Sequence, residues 1–348
     1  MWRRGWIAVS VLALALVTVS CSDDGDGDDD SADGEETPEE SVADITVVNL
    51  NVLHGLPLGN CPDETESCNA AARVDMMFDL LEQAGCPDIV GLQELAPAQF
   101  ELIPAGLPDV CDGAYELVSE RPNMGVEQWV LSSLPVLDAQ TEVISGITRT
   151  VPWVRLDSAL GPIDFYTTHF VAGIDNVPCA ENQDFCPGIA KGLCDLEMET
   201  GECNPLETVD FIDRTADPNT LTILTGDLNA TIDEPRITTI TDEGFVDVWT
   251  LAGNDECDPE TAENCTSGQT GEGPFDGLDI PDNTRDQRID FVLVRAPDDC
   301  DLRADGPDDP DGDGTSTGMF AGEPFDPPVD GVYWVSDHTG VQADLSCG

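Results

Sequence analysis

The chain of 348 residues is short of positive charge: 13 lysines and arginines, with Lys191 the single lysine, face 71 aspartates and glutamates, and there are three histidines. Such a surface cannot grip a phosphate backbone with basic side chains, so stable nucleic-acid binding is expected only where divalent cations mediate it. Aromatic residues make up 6 % of the sequence, and no cluster of them offers a hydrophobic wedge for entering a membrane surface. No cysteine pair has CxxC spacing or a histidine partner, which excludes the usual structural zinc site. There are no internal repeats, and the one long apolar run, residues 7–19, is short for a membrane span.

That run follows Arg3 and Arg4 and leads to Val17-Thr18-Val19-Ser20-Cys21, which reads as an export signal over residues 1–21. Ser20 before Cys21 resembles a bacterial lipoprotein junction, although Thr18 stands where leucine is commoner; an ordinary cleaved signal is the other reading. The lipoprotein reading places a lipid on Cys21 and anchors the protein, a monomer, on the bacterial cell envelope, on its periplasmic or surface side. Residues 22–44 hold 12 acidic side chains and no basic ones, so this stretch is expected to be a self-repelling, unfolded tether. The domain then covers 45–348 and carries 59 acidic against 11 basic residues, a formal charge of −48. Salt tolerance is one use of such a surface.

Setting Cys21 aside leaves 12 of the 13 cysteines, an even number suited to disulfides in an oxidising compartment. Four short loops are bounded by Cys61 and Cys68, Cys179 and Cys186, Cys194 and Cys203, and Cys257 and Cys265. Cys86 with Cys111 and Cys300 with Cys347 complete one of several pairings that the sequence allows.

Strand-like stretches recur at 45–53, 88–93, 126–131, 163–170, 221–224, 289–294 and 341–345. Residues 70–84 place Val74, Met77, Leu80 and Leu81 at helical spacing, and 206–214 reads as a second helix. Residues 171–205 read as a long, cysteine-bound loop. This alternation predicts a layered α/β architecture in which helices cover packed sheets. Asp309, Asp311 and Asp313, with Gly314 after them, match the start of a calcium loop, but Phe320 stands where the bidentate acid belongs. A structural Ca2+ there and a solvated acidic turn both remain open.

Several strands end in polar residues. In 222–232, TILTGDLNATI, an apolar run stops at Gly226, and Asp227 and Asn229 follow two apart, so an extended chain would aim both at one spot. Similar strings are NLNVLHG, DIVGLQE, TTHF and SDHTG, while RIDFVLV sets an acid inside an apolar run, which is costly unless the acid is paired. Two of the three histidines, His169 and His338, lie in these strings.

In this order the six motifs resemble the endonuclease/exonuclease/phosphatase superfamily, which contains DNase I-like nucleases, sphingomyelinases and inositol polyphosphate phosphatases. The resemblance covers nearly all of 45–347 and implies a four-layer sandwich, two mixed β-sheets flanked by helices. It implies hydrolysis of a phosphoester with a divalent cation, Mg2+ or Mn2+, held by Glu94 with Asn51 and Asp337 completing or adjoining the shell. Asp227 and Asn229 would hold and polarise the attacking water. His338 would touch a phosphate oxygen or take the water's proton, with Asp290 fixing its tautomer, and His169 would bind phosphate or assist the leaving group. Asp247 is assigned to scaffolding and His54 to the periphery. The residues alone leave the substrate open, and an inactive surface lipoprotein that binds calcium or a partner is the competing class.

Overall fold

The computed structural model describes residues 44–54, 69–118, 127–173, 176–181, 183–268, 275, 277–302 and 315–347. The export signal, the lipid site at Cys21, the tether up to residue 43, the Cys61 and Cys68 staple and the acidic triplet at Asp309, Asp311 and Asp313 all lie outside the described residues. The first strand begins at Asp44, one residue before the expected start of the domain.

Two six-stranded sheets carry the fold. The first contains β1 (Asp44–Asn51), β2 (Ile89–Leu95), β3 (Glu116–Val118), β4 (Glu127–Ser132), β11 (Ser316–Phe320) and β12 (Gly340–Ser346) in the order β11-β12-β1-β2-β4-β3. The second contains β5 (Val136–Val143), β6 (Thr150–Ser158), β7 (Gly161–His169), β8 (Leu221–Asp227), β9 (Val246–Asp247) and β10 (Asp290–Arg295) in the order β5-β6-β7-β8-β10-β9. Each sheet has one parallel pair at its centre, β1 with β2 and β7 with β8, flanked by antiparallel neighbours. A parallel pair needs a crossover. In the first sheet it is α1 (Ala70–Gln83), and in the second it includes α3 (Pro187–Lys191) and α4 (Thr200–Thr215).

Strand alternation explains the layers. Along β1, Ile45 and Val47 face the other sheet, where they meet Phe165, Ile223 and Val292, while Val48 and Leu50 meet Met77 and Leu81 of α1. On the far side, Leu224 and Phe291 pack with Phe211 and Ile212 of α4 and Ile237 and Ile240 of α5 (Pro235–Thr241). Sheets buried on both faces produce the long apolar runs seen in the sequence, and each such side chain contributes about 1.5–3 kcal/mol through burial. Gly91 of β2 is required by the sheet contact: a Cβ there would come within 2.3 Å of Thr225 Oγ1 and 2.9 Å of Thr167 Oγ1.

The structure adds elements that the sequence reading lacks and alters one expected loop. β5 and β6 are absent from the sequence reading because β5 is largely exposed, with no alternation, and β6 contains Pro152, which ordinarily argues against an inner strand. α2 (Pro97–Gly106) was hidden by its two prolines. The loop expected over 171–205 contains α3 and the first turn of α4, which starts at Thr200, six residues before the expected helix. Among the described residues the disulfides are Cys86–Cys111, Cys179–Cys186, Cys194–Cys203, Cys257–Cys265 and Cys300–Cys347, as paired above.

Candidate active site

The C-terminal ends of the two parallel pairs point to one place. Asn51 ends β1 opposite Gln93 of β2, and His169 ends β7 opposite Asp227 of β8. Asp290, the first residue of antiparallel β10, pairs with Asp227, and the residues before β12 bring in His338. Open α/β sheets bind ligands at the carboxyl ends of parallel strands for this reason: the chain leaves the sheet there and its side chains are free of the ladder.

Glu94 reaches the site through a break in its strand. The register of β2 with β4 shifts between Leu92 and Leu95, and Glu94 takes φ 62°. That left-handed conformation costs a non-glycine residue about 1–2 kcal/mol, and it turns the carboxylate out of the regular pleat. Glu94 Oε2 accepts from the His54 backbone N–H at 3.3 Å, while Oε1 accepts from Asn51 Nδ2 at 3.1 Å.

Asp227 Oδ2 is the hub. Asn51 Nδ2 donates to it at 3.0 Å, and the Nε2 atoms of His169 and His338 lie 3.4 Å and 3.6 Å away. His169 Nε2 is also 3.8 Å from Glu94 Oε1. On the other side of its ring, His338 Nδ1 meets Asp290 Oδ2 at 2.8 Å, which fixes the tautomer that turns Nε2 toward Asp227.

Burial would lower His338, but the carboxylates of Asp290, Asp227 and Asp337 overcome it and raise this imidazole well above its ordinary value. His169 goes the other way: burial, helped by the Arg149 charge, holds it well below. Burial pushes Asp227 up to about 7, with Asp290 and Glu94 adding to the rise against His338. For Glu94 burial alone would raise the carboxyl, yet the charges of His169 and His54 and the Asn51 hydrogen bond bring it down to about 2. Burial also raises Asp337, with Glu94 adding to it. The site thus holds one imidazole raised and one lowered in proton affinity beside a carboxyl pushed up toward neutrality. Groups driven apart in this way are what acid and base roles require.

All eight predicted residues lie in or beside this site, with adjustments. Asn51 Oδ1 accepts from Leu53 N at 3.0 Å, so its amide N–H group, not its oxygen, faces Glu94 and Asp227. The compact groups able to hold a cation are Glu94, His169 and Asp227, and Asp227, Asp290 and His338; Asp337 belongs to neither, and its Oδ1 accepts from Ser336 Oγ at 3.2 Å. Asn229 has φ 47°, its backbone N–H bonds Asp227 Oδ1, and its Nδ2 donates to Phe170 O at 3.0 Å. A turn, not strand alternation, brings it beside Asp227. Asp247 is scaffolding: it caps α6 (Val248–Leu251) and takes the buried guanidinium of Arg288 at 2.8 Å.

Three arginines were not foreseen. Arg73 of α1 donates to the carbonyls of Val52, Leu53, His54 and Val335, Arg285 to those of Ser336 and Asp337, and Arg236 to those of Val171 and Asn229. They tie together the loops that carry the site. A signal existed for Arg73, which shares the helical stripe of Ala70, Val74 and Met77, a buried face where a charge needs a reason.

The residues fit a divalent cation. Glu94, Asp227, Asp290 and Asp337 crowd negative charge into a buried space, and Asp290 Oδ1 has no hydrogen-bond partner. Carboxylate oxygens with one imidazole make a donor set for a hard cation. The third compact group, Cys194, Cys203 and Glu207, is a disulfide beside a carboxylate and does not fit one.

The profile of the Endonuclease/Exonuclease/phosphatase family matches residues 48–338. Among solved structures, truncated Caenorhabditis elegans TDP2 aligns with a TM-score of 0.57 at 15% identity, covering 87% of this chain and 98% of that one. D. rerio TDP2 complexed with a single-strand DNA product gives 0.57 at 16%, covering 87% and 99%. An endonuclease/exonuclease/phosphatase from Bacteroides vulgatus gives 0.56 at 18%, covering 88% and 99%. At these identities the likeness is one of fold. No curated protein matches the sequence.

Proposed function

The chain belongs to the endonuclease/exonuclease/phosphatase family, and on that footing we propose that it hydrolyses a phosphoester with the help of a divalent cation. One observation carries the reading: Asn51, His169 and His338 all approach the single oxygen Asp227 Oδ2 within 3.0–3.6 Å, with Glu94 alongside.

Glu94 would hold the cation, Mg2+ or Mn2+, with Asp227 and His169 nearest to it and Asn51 and Asp337 adjoining. Bound there, the cation supplies Lewis-acid stabilisation of the charge that gathers on phosphate oxygens. Asp227 takes the proton of the attacking water, and Asn229 keeps the Asp227 turn in place. His338, charged and held by Asp290, donates from Nε2 to a phosphate oxygen. His169 accepts or passes a proton at the leaving-group side.

The expected export signal and a lipid on Cys21 would put this domain on the outer side of a bacterial membrane as a monomer. The five disulfides among the described residues support an oxidising compartment. With a domain charge of −48, small phosphoesters are favoured over nucleic acid, which would need screening cations. Single-stranded DNA still belongs in the test, because it is the product bound to the D. rerio relative. Residues 45–348 should hydrolyse at least one member of a panel of nucleotides, inositol phosphates, sphingomyelin and single-stranded DNA, and lose that activity in EDTA. Activity that persists in EDTA, or no hydrolysis with any added Mg2+ or Mn2+, overturns the reading.

A further inference from the structure

A slot of about 160 Å3 opens between the turn joining β5 to β6 and the stapled segment before α3. Val143, Ile144, Phe185 and Pro187 give it apolar walls, and Asp184, Arg149 and Thr150, the first residue of β6, also line it. Its volume matches the roughly 150 Å3 that accommodates one benzene ring in an apolar cavity. Val143 and Ile147 remain 56% and 50% exposed around it, an apolar patch on a surface that is otherwise strongly acidic.

Its walls are fixed in advance. Glu207 of α4, fully buried, accepts from Ser145 N on one wall and Gly188 N on the other, both at 2.6 Å. Asn204 donates to Ser145 O at 2.7 Å and accepts from Val171 N at 2.9 Å, and Gly146 N donates to Phe185 O at 2.8 Å. Gly146, at φ 108°, has no room for a side chain: a Cβ would meet Val171 Cγ2 at 2.3 Å and Arg149 Cγ at 2.9 Å. Cys179–Cys186 and Cys194–Cys203 close the segment behind. A rigid slot binds without paying to order its walls.

The slot is joined to the reacting centre. Arg149 and Val171 both flank Gly146, Val171 stands two residues beyond His169, and the Arg149 charge acts on that imidazole. Thr168 Oγ1, next to His169, donates to Thr150 O at 3.1 Å.

We propose that this slot is a specificity subsite that takes a ring-sized apolar group of the phosphoester, with Arg149 lining it. The inference rests on the phosphoesterase reading. An acyl chain is too long for the volume, and an acidic group would meet Asp184.

The test is calorimetric titration of residues 45–348, in Mg2+, with phenylphosphonate and methylphosphonate, which share the phosphate-like head and need no turnover. Phenylphosphonate should bind at least about tenfold more tightly, the gain from burying one ring. Phe185→Ser should reduce that preference to within about twofold, as apolar contact is lost. Val143→Ser, at an exposed position whose replacement does not threaten folding, should reduce it in the same direction. Equal binding of the two phosphonates, or a preference that survives both substitutions, overturns the subsite and leaves the phosphoesterase reading standing. Binding of neither, together with no hydrolysis across the panel, overturns both.

Discussion

The two parallel strand pairs bring polar groups to the same site by different means. In the first, β1 and β2 are joined through the apolar helix α1, and Glu94 is aimed by its own backbone, through a register shift and φ 62°. In the second, β7 and β8 are joined through a disulfide-stapled segment, and Asp227 sits in regular register between His169 and Asp290. One pair departs from the regular pleat to aim its carboxylate; the other keeps the ordinary pleat, and burial and surrounding charge set the proton affinity of Asp227. On the proposed roles, the first half chiefly places a ligand in space and the second chiefly places a base on the pH scale.

Glu94→Ala should break the first half most completely, because no neighbour in DIVGLQE can supply the carboxylate. Activity should vanish at limiting metal and return in part with excess Mg2+ or Mn2+. A variant that turns over at the parent rate at limiting metal would remove Glu94 from the cation and dissolve the comparison.

Asp227→Asn comes next, with a loss of at least about a hundredfold in turnover, the lower range for a general base. Its melting temperature should hold or rise, since a buried carboxylate among carboxylates is relieved. Unfolding as the sole cause of lost turnover would reduce the TGDLNA turn to scaffolding.

A smaller effect, on the order of tenfold, is expected for Asp290→Asn, which leaves His338 in place but removes its nearest counter-charge. NMR titration of the His338 ring should show its midpoint falling. The sign extends to stability: His338 is raised in the folded protein, so its contribution is complete below the ordinary histidine range and is lost as pH rises through the folded value. Asp290→Asn should flatten that loss. An unmoved midpoint would show that Asp290 does not set the charge of the imidazole.

The smallest effect on chemistry should come from replacing Cys194 and Cys203 by serine. Stability should fall by about 2–3 kcal/mol in urea titration, as expected for opening a loop of this length. Metal affinity should stay unchanged, since none of the residues proposed to hold the cation, Glu94, Asp227 and His169, belongs to this stapled segment. If it falls as well, the stapled segment and the cation site are not independent.

The site was more legible in the sequence than the frame around it. Asn51, Glu94, His169, Asp227, Asp290 and His338 announce themselves because each interrupts or ends an apolar run, and the family resemblance supplied their roles. What could not be read depends on contacts between remote segments. Asn51 and Asp227 are 176 residues apart, and only folding shows that the Asn51 amide N–H, not its oxygen, faces the hub. Asp337 sits one residue from His338, yet lies outside the compact groups for which it was expected. Arg285 looks like a surface charge until its carbonyl partners are known. β6 was concealed by Pro152 and α2 by Pro97 and Pro104, local signals overridden by tertiary packing.

The second sheet is built from one uninterrupted stretch, β5 through β10, while the first is assembled from both ends of that stretch, with β12 pairing Ser346 to Asp44. The nascent chain can therefore complete one sheet early but must wait for its last strands to close the other. His338 is made just before them. On the role proposed for His338, the activity would stay silent throughout biosynthesis, and a polypeptide truncated anywhere before residue 338 should not cleave a phosphoester in the compartment where it was made.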